Sequence, residues 1–361
     1  MNYRHAQLLY PQDLTNGSGT IIVDVDVNKP ISRIEIRFKT TKVLQYMTAP
    51  GPANIPKIEL VDGSTVLHGL TGYENQALAY YSRPNISMEH GQHIATLSEV
   101  DLYTIDFGRY LWDELLAFDP LRFHNPQLKI TYDENVADTG ASENEIEIWA
   151  DIFDEKVISP IGFLMAVEHY AYTPGASGSF ELITLPSDRP IRQMLVRAHY
   201  DGKEPWYNIS EARLDEGTLD TIPWEYTSLE YYFRRMKNEW PQIRTAFQAA
   251  MSAVAQVYYI PQSEYWASIA LIGIGGTGNP FETTANMAGG KVSLNGDIGV
   301  TVIGEARGWL PWSTFQFPMG KQDVIEDWYN PMDKKPRLRL RAYTGANNAD
   351  VQLVLEELYK Y

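Results

Sequence analysis

The chain has 361 residues, 44% hydrophobic and 21% charged, the balance of a globular protein long enough for two domains with separate cores. Its net charge of −16 argues against wrapping of nucleic acid by the whole chain, because phosphate binding needs clustered Lys and Arg. With no cysteines, the fold uses neither disulfides nor thiolate metal sites, which suits a reducing compartment.

Plentiful aromatics (23 Tyr, 9 Trp, 12 Phe), 26 Gly and 21 Pro predict many short strands joined by turns. The opening MNYRHAQLLYPQD lacks the apolar core of a signal peptide, and no run approaches the ~20 apolar residues of a membrane span. A soluble, unsecreted protein is expected. Met1–Gly17 carries Arg4 and His5 with little periodicity and reads as an arm, ordered by a neighbour if at all. From Thr20 the pattern alternates: Val23, Val25 and Val27 oppose Asp24 and Asp26, then Ile34, Ile36 and Phe38 oppose Glu35 and Arg37. Period two means half-buried strands.

Pro50–Pro56 is a loop, and Ile58–Leu67 reads as strand, Asp-Gly turn, strand. Tyr73–Ser82 is aromatic and fits neither helix nor strand cleanly. Ile94–Phe107 reads as two strands and Leu111–Phe118 as a short amphipathic helix. A strand at Pro126–Tyr132, a polar loop at Asp133–Asn144 and a strand at Glu145–Phe153 follow, and the linker between halves falls within Asp154–Gly178. Further on, Trp240, Ile243, Phe247, Met251 and Val254 share one face of a long helix pattern. A short helix at Val324–Trp328 and a final strand at Val351–Leu355 close the chain.

The chain repeats itself. Pro190 minus Pro30 is 160, and at that offset Ile31, Ile34, Ile36 and Arg37 meet Ile191, Met194, Val196 and Arg197. Gly217 faces Gly63 at an offset of 154. Phe317 minus Phe107 and Pro336 minus Pro126 are both 210, which brings Leu128, Ile130 and Asp113 onto Leu338, Leu340 and Asp323. Three collinear blocks, with an offset that grows through an insertion of about fifty residues mostly within Leu229–Gly290, imply two like domains.

Two β-rich halves, each with about eight short strands and a helix before the seventh, resemble the double jelly-roll major capsid proteins of tailless icosahedral viruses. This is the lineage of the adenovirus hexon and of membrane-containing bacteriophages such as the tectiviruses. The residues that carry the likeness are Gly19–Phe38, Ile58–Leu67, the paired Phe107/Phe317 to Pro126/Pro336 blocks and the insertion in one half only. The resemblance implies an all-β fold of two tandem eight-stranded jelly rolls, with short helices and one longer helical insertion. Residues 1–17 would be an N-terminal arm, 18–158 the first roll, 159–177 a linker and 178–361 the second roll, with the insertion at about 229–290. It also implies a homotrimer whose six rolls form a pseudo-hexagonal capsomer tiling an icosahedral shell, with penton and minor capsid proteins as partners. The arm would point inward, toward an internal viral membrane where one is present, and the insertion would form a tower or an intersubunit element. Such a protein is synthesised in the host cytoplasm, resides in the virion, is not an enzyme and needs no cofactor or sequence-specific nucleic acid.

Other motifs carry less. Gly273 to Gly278 fits the dinucleotide fingerprint G-x-G-x-x-G, but no amphipathic helix pattern follows to hold a pyrophosphate. Asp24, Asp26 and Asn28 with Glu35 imitate a calcium loop, yet its sixth position is Lys29 where glycine is required. Glu89, His90 and His93 lack a helix to gather them around a metal. The run Glu143, Glu145, Glu147, Asp151, Asp154 and Glu155 raises paired-carboxylate glycoside chemistry, although a solvated strand face explains its alternation. Asn85 and Asn208 open glycosylation sequons without a secretory signal. Arg234, Arg235 and Lys237 among Tyr231, Tyr232 and Phe233 read as a helix surface or subunit contact rather than a nucleic-acid site. No metal, cofactor or catalytic residue is assigned. The reading is a self-assembling capsid subunit; the alternatives are a carbohydrate-binding or carbohydrate-active β-sandwich protein and, third, a viral spike or minor capsid protein.

Overall fold

A computed structural model describes residues 1–14, 17–41, 48–83, 91–93, 98–137, 142–200, 202–217, 221–250, 255–263, 268–274, 290–294, 301–344 and 348–361. The first half runs β1 (Tyr3–Asp13), β2 (Ser18–Asp24), β3 (Ile31–Thr41), β4 (Lys57–Asp62), β5 (Thr65–Leu70), α1 (Gly72–Ser82), β6 (Gly91–His93), β7 (Ser98–Asp106), β8 (Pro126–Asp133) and β9 (Ser142–Phe153). The second half runs β10 (Gly162–Tyr172), β11 (Phe180–Thr184), β12 (Ile191–His199), β13 (Ile209–Glu216), β14 (Thr221–Tyr226) and α2 (Leu229–Met236). After an insertion with β15 (Ile243–Ala250), β16 (Ala255–Tyr258), β17 (Ser268–Ile274), β18 (Lys291–Leu294) and β19 (Thr301–Gly308), it resumes as β20 (Thr314–Pro318), β21 (Arg337–Ala342) and β22 (Asp350–Lys360).

Each half folds as a jelly roll of two four-stranded layers. In the first, β1-β9-β3-β7 faces β2-β8-β4-β5; in the second, β10-β22-β12-β20 faces β11-β21-β13-β14. Alternation sends Ile34, Ile36 and Phe38 of β3 into the first core with Leu128 and Ile130 of β8, all fully buried. Met194, Val196, Leu338, Leu340 and Leu353 occupy the same places in the second core.

The two rolls match in register. Ile34 faces Ala150 as Met194 faces Leu355, Ile22 faces Lys129 as Leu182 faces Arg339, and Lys57 faces Thr131 as Glu211 faces Arg341. Even the irregularities are duplicated: breaks at Ile31/Arg33 and Gln7/Leu9 reappear at Ile191/Gln193 and Glu168/Tyr170. Gly63 and Gly217, at φ +60° and +61°, turn the two matching hairpins in the left-handed region that glycine tolerates best. Thr71 and Ser228 cap the two helices in the same way, each accepting from the backbone N–H three residues on.

Several expectations are corrected. Met1–Gly17 is not a free arm: β1 pairs with β9 along Tyr3–Asp13 and forms the edge of its own sheet. Residues 159–177 are not simply a linker, since β10 lies between β5 and β22. Leu111–Phe118 is not helical; Trp112 sits at φ +67°, and the Asp113 carboxylate accepts from the N–H of Leu115 and Leu116, folding the segment into turns. Val324–Trp328 holds one 3-10 turn, Ile325–Asp327. The long helix expected from Trp240 to Val254 is strand β15, which buries Ile243, Thr245 and Phe247 in alternation; residues 251–254 lie outside those described. The insertion is therefore β-rich, with β17-β19-β15 extended by β6 of the first half. It runs from β15 to β19 rather than over about 229–290, because α2 at Leu229–Met236 is the counterpart of α1 and belongs to the roll.

Ser98–Asp106 is one strand, where two were expected over Ile94–Phe107; residues 94–97 lie outside those described. Tyr73–Ser82 is α1, so the helix precedes the sixth strand of each roll, not the seventh. Finally, Phe107 and Met319 bond backbone to backbone with Ser32 and Arg192, so Phe107 corresponds to Met319 rather than Phe317. A shift of two keeps the same face, so the apolar pattern alone does not separate the two alignments.

Candidate assembly surfaces

The two rolls meet through different surfaces. The first contributes β5 and α1; the second contributes the outer face of β10-β22-β12-β20. A parallel bridge between Gly69 and Val167 joins the sheets. Leu70 and Leu78 pack with Ala166, Leu195 and Val354, and Tyr81 borders the cluster. Trp312 donates its indole N–H to Gln76 at 2.9 Å, Tyr81 donates to the Thr314 carbonyl at 2.7 Å, and Gln193 donates to Ser82 Oγ at 3.3 Å. The Arg197 guanidinium lies 4.6 Å from the Tyr73 ring centroid. At the end where the chain termini lie, Arg109 donates to the Asp323 carbonyl at 2.7 Å, beside Leu116, Leu164, Trp328 and Leu358.

This contact explains why β12 is buried on both faces. Met194 and Val196 point into the second core, while Leu195 meets the first roll, and even Arg192, Gln193 and Arg197 are covered. Arg192 and Gln193 both donate to Glu356, at 2.8 and 2.7 Å, so that buried carboxylate is compensated. Glu74 at the N-terminus of α1 accepts from the Thr71 N–H and hydroxyl at 2.8 and 3.0 Å. Burial, and then Glu168 across the seam, push its carboxyl up to about 7. Burial holds neighbouring His68 neutral, down to about 3.

The counterparts of these two surfaces lie at the outer ends of the chain. One is α2 of the second roll, where Leu229, Tyr232 and Phe233 face the core while Tyr231 is 71% exposed and Arg234 and Arg235 are also exposed. The other is the outer face of β1-β9-β3-β7. There Arg37 donates to Glu147 at 2.7 Å, Arg33 donates to Asp106 at 2.6 Å, and His5 stacks on Trp149 at 4.9 Å and lies 2.7 Å from Asp151.

The residues flagged in the sequence disperse. Glu145 and Glu147 are bound by Arg37, Asp151 by His5, Asp154 by Arg4 and Glu155 by the N-terminal ammonium, so the acidic run neutralises β1 and β3. The side chain of Glu143 lies outside the description. Asp24, on β2, accepts from Gln127, while Glu35 lies in the opposite sheet; no calcium loop forms between them. Gly273 and Ile274 are the last residues of β17, and residues 275–278 of the glycine motif lie outside the described residues, as do Asn85, Glu89, His90 and the His93 side chain. Asn208 is fully buried and donates to the Ala198 carbonyl at 2.9 Å, which closes that sequon. Arg234 pairs with Glu230 at 2.5 Å, and Lys237 lies over the Trp309 ring. Among the described residues no group of three or more His, Asp or Glu is placed to hold a metal, and no helix is long and apolar enough to cross a membrane. Sequence reading missed the seam altogether; its one signal was the continuous apolar run Phe163–Val167, the mark of a strand covered on both faces.

No known protein family and no curated protein matches the sequence. Solved structures do. The crystal structure of the STIV major capsid protein covers 99% of this chain and 97% of its own, at a TM-score of 0.60 and 12% identity. The major capsid protein P2 of bacteriophage PM2 covers 99% and 98%, at 0.54 and 7%. VP54 of PBCV-1, fitted into a cryo-EM reconstruction of the virophage Sputnik, covers 99% and 93%, at 0.57 and 10%. The chain shares the fold of these proteins, a double jelly roll. At these identities the likeness is one of fold. The double jelly roll accounts for the duplicated registers, and the seam is its join.

Proposed function

We propose that the chain is a viral capsid subunit that assembles with copies of itself as a trimer of six rolls, tiling a shell. The observation that carries this reading is the end-to-end likeness in fold to viral major capsid proteins. The seam supports the ring. It joins two unlike surfaces, and a heterologous contact of that kind, repeated, either closes a ring or grows a filament. With two rolls per chain, three chains close six positions. The boundary between rolls is taken at residues 154–161, between β9 and β10. Penton and minor capsid proteins remain the expected further partners within a virion. A membrane contact through a free N-terminal arm is not, because β1 is committed to its own sheet. Catalysis is not part of this reading, since the acidic run is held in ion pairs. Negative-stain microscopy of the purified chain tests it: six-lobed particles are expected, and isolated two-lobed particles at micromolar concentration overturn it.

A second reading, saccharide binding, is favoured by one feature. A cleft of about 410 Å³ is lined by Trp206, Tyr207 and Tyr343 beside the Glu211–Arg341 ion pair, and its size is that of a small ligand site. Saturation-transfer NMR with glucose, galactose and N-acetylglucosamine tests it, with signal on the sugar protons supporting it and silence from all three removing it.

A further inference from the structure

The register match lets the seam inside the chain be carried onto its free ends, residue by residue. The helices correspond at an offset of 157 (Ser228 minus Thr71), so Tyr73 and Leu78 of α1 become Glu230 and Arg235 of α2. A second contact checks this offset: Asn75 bonds the backbone of Thr104 in β7, and Tyr232, 157 residues on, bonds the backbone of Gln316 in β20. Strands β3 and β12 correspond at 160, so Leu195 and Arg197 become Glu35 and Arg37.

Inside the chain, Leu78 packs in one apolar cluster with Leu195, and Tyr73 lies under Arg197. Carried to the ends, the first contact becomes Arg235 against Glu35, and the second becomes Glu230 against Arg37. Both are pairs of opposite charge. We infer that α2 of one copy docks on the outer face of β1-β9-β3-β7 of a second copy, with Arg235 meeting Glu35 and Glu230 meeting Arg37. This rests on the proposed ring and names its joint.

The chemistry fits a contact made late. The seam within the chain forms as the chain folds, and apolar side chains serve it well. The ends must stay soluble until a second copy arrives, and charge does that while steering the approach and rejecting wrong partners. Competing pairs of Glu230 and Glu35 within the chain are weak: Arg234–Glu230 is an exposed bridge, and Glu35 lies at 3.5 Å from Arg33 and 3.9 Å from His5. Arg37 already holds Glu147 at 2.7 Å, so Glu230 would share that guanidinium rather than take a free one, and Arg235–Glu35 is the stronger of the two pairs. Arg235 makes no ion pair among the described residues.

The absence of cysteine makes the test direct. The full chain carrying Arg235→Cys and Glu35→Cys is treated with a short bismaleimide, which spans neighbouring side chains without demanding disulfide geometry. A covalent trimer is expected from the double variant, and nothing beyond a dimer from either single variant. In a second arm, Arg235→Glu, an exposed substitution, weakens the trimer by about tenfold or more, with less effect in molar salt. A native trimer that neither cross-links nor responds to Arg235→Glu overturns this joint and leaves the proposed function standing. A chain that never forms a trimer overturns both.

Discussion

Replacing Glu168 by Gln should stabilise the protein at pH 8 and do little at pH 5. Glu74 is 1% exposed, and its carboxyl is pushed from an ordinary value of 4.5 to about 7 by burial first and Glu168 second. A raised carboxyl favours the folded state fully below pH 4.5, loses that contribution between 4.5 and 7, and is at its full disadvantage above 7. A shift of that size corresponds to about 3 kcal/mol at pH 8. Glu168 is the lesser cause, so removing its charge should recover less than half, about 1 kcal/mol, and the new amide can donate to Glu74. For a chain of this length that is about 2 °C in Tm. Thermal unfolding of both proteins at pH 5 and pH 8 reads the difference. An equal shift at both values, or none at pH 8, refutes the assignment of Glu168 as a source of strain across the seam.

Gly63→Ala and Gly217→Ala should each cost about 1 kcal/mol in thermal unfolding, and nearly the same amount, because the two turns share one left-handed conformation. Arg192→Met should cost about 3–5 kcal/mol by leaving Glu356 buried with only Gln193 beside it, and adding Glu356→Leu should recover most of that loss. Leu195→Ala, at the apolar seam, should cost about 2–5 kcal/mol and lower the melting temperature without changing far-ultraviolet circular dichroism.

Much of the architecture was legible because duplication writes each structural demand twice. Pro30 and Pro190 each offer a carbonyl to the matching last strand, at Phe153 and Leu358, and Pro126 and Pro336 do the same for Val25 and Leu185. These anchors survive where side-chain identity does not. What failed did so for physical reasons. Trp240, Ile243 and Phe247 satisfy helical spacing, but Ile243, Thr245 and Phe247 satisfy strand spacing equally, and pairing with β19 decides between them. Strand β1 shows no clean alternation because an edge strand is held by its backbone and is partly exposed on both faces. The assembly surfaces were hidden for another reason. Arg235 and Glu35 are ordinary charged residues in sequence, and only the correspondence between rolls sets them opposite one another.

The mass of the native protein bears most directly on the proposed assembly. Native mass spectrometry at low salt should give a closed trimer, three times 41.0 kDa or 123 kDa, with no tetramer or open series. A species of 41.0 kDa that persists at micromolar concentration, or an unending ladder of oligomers, would contradict it.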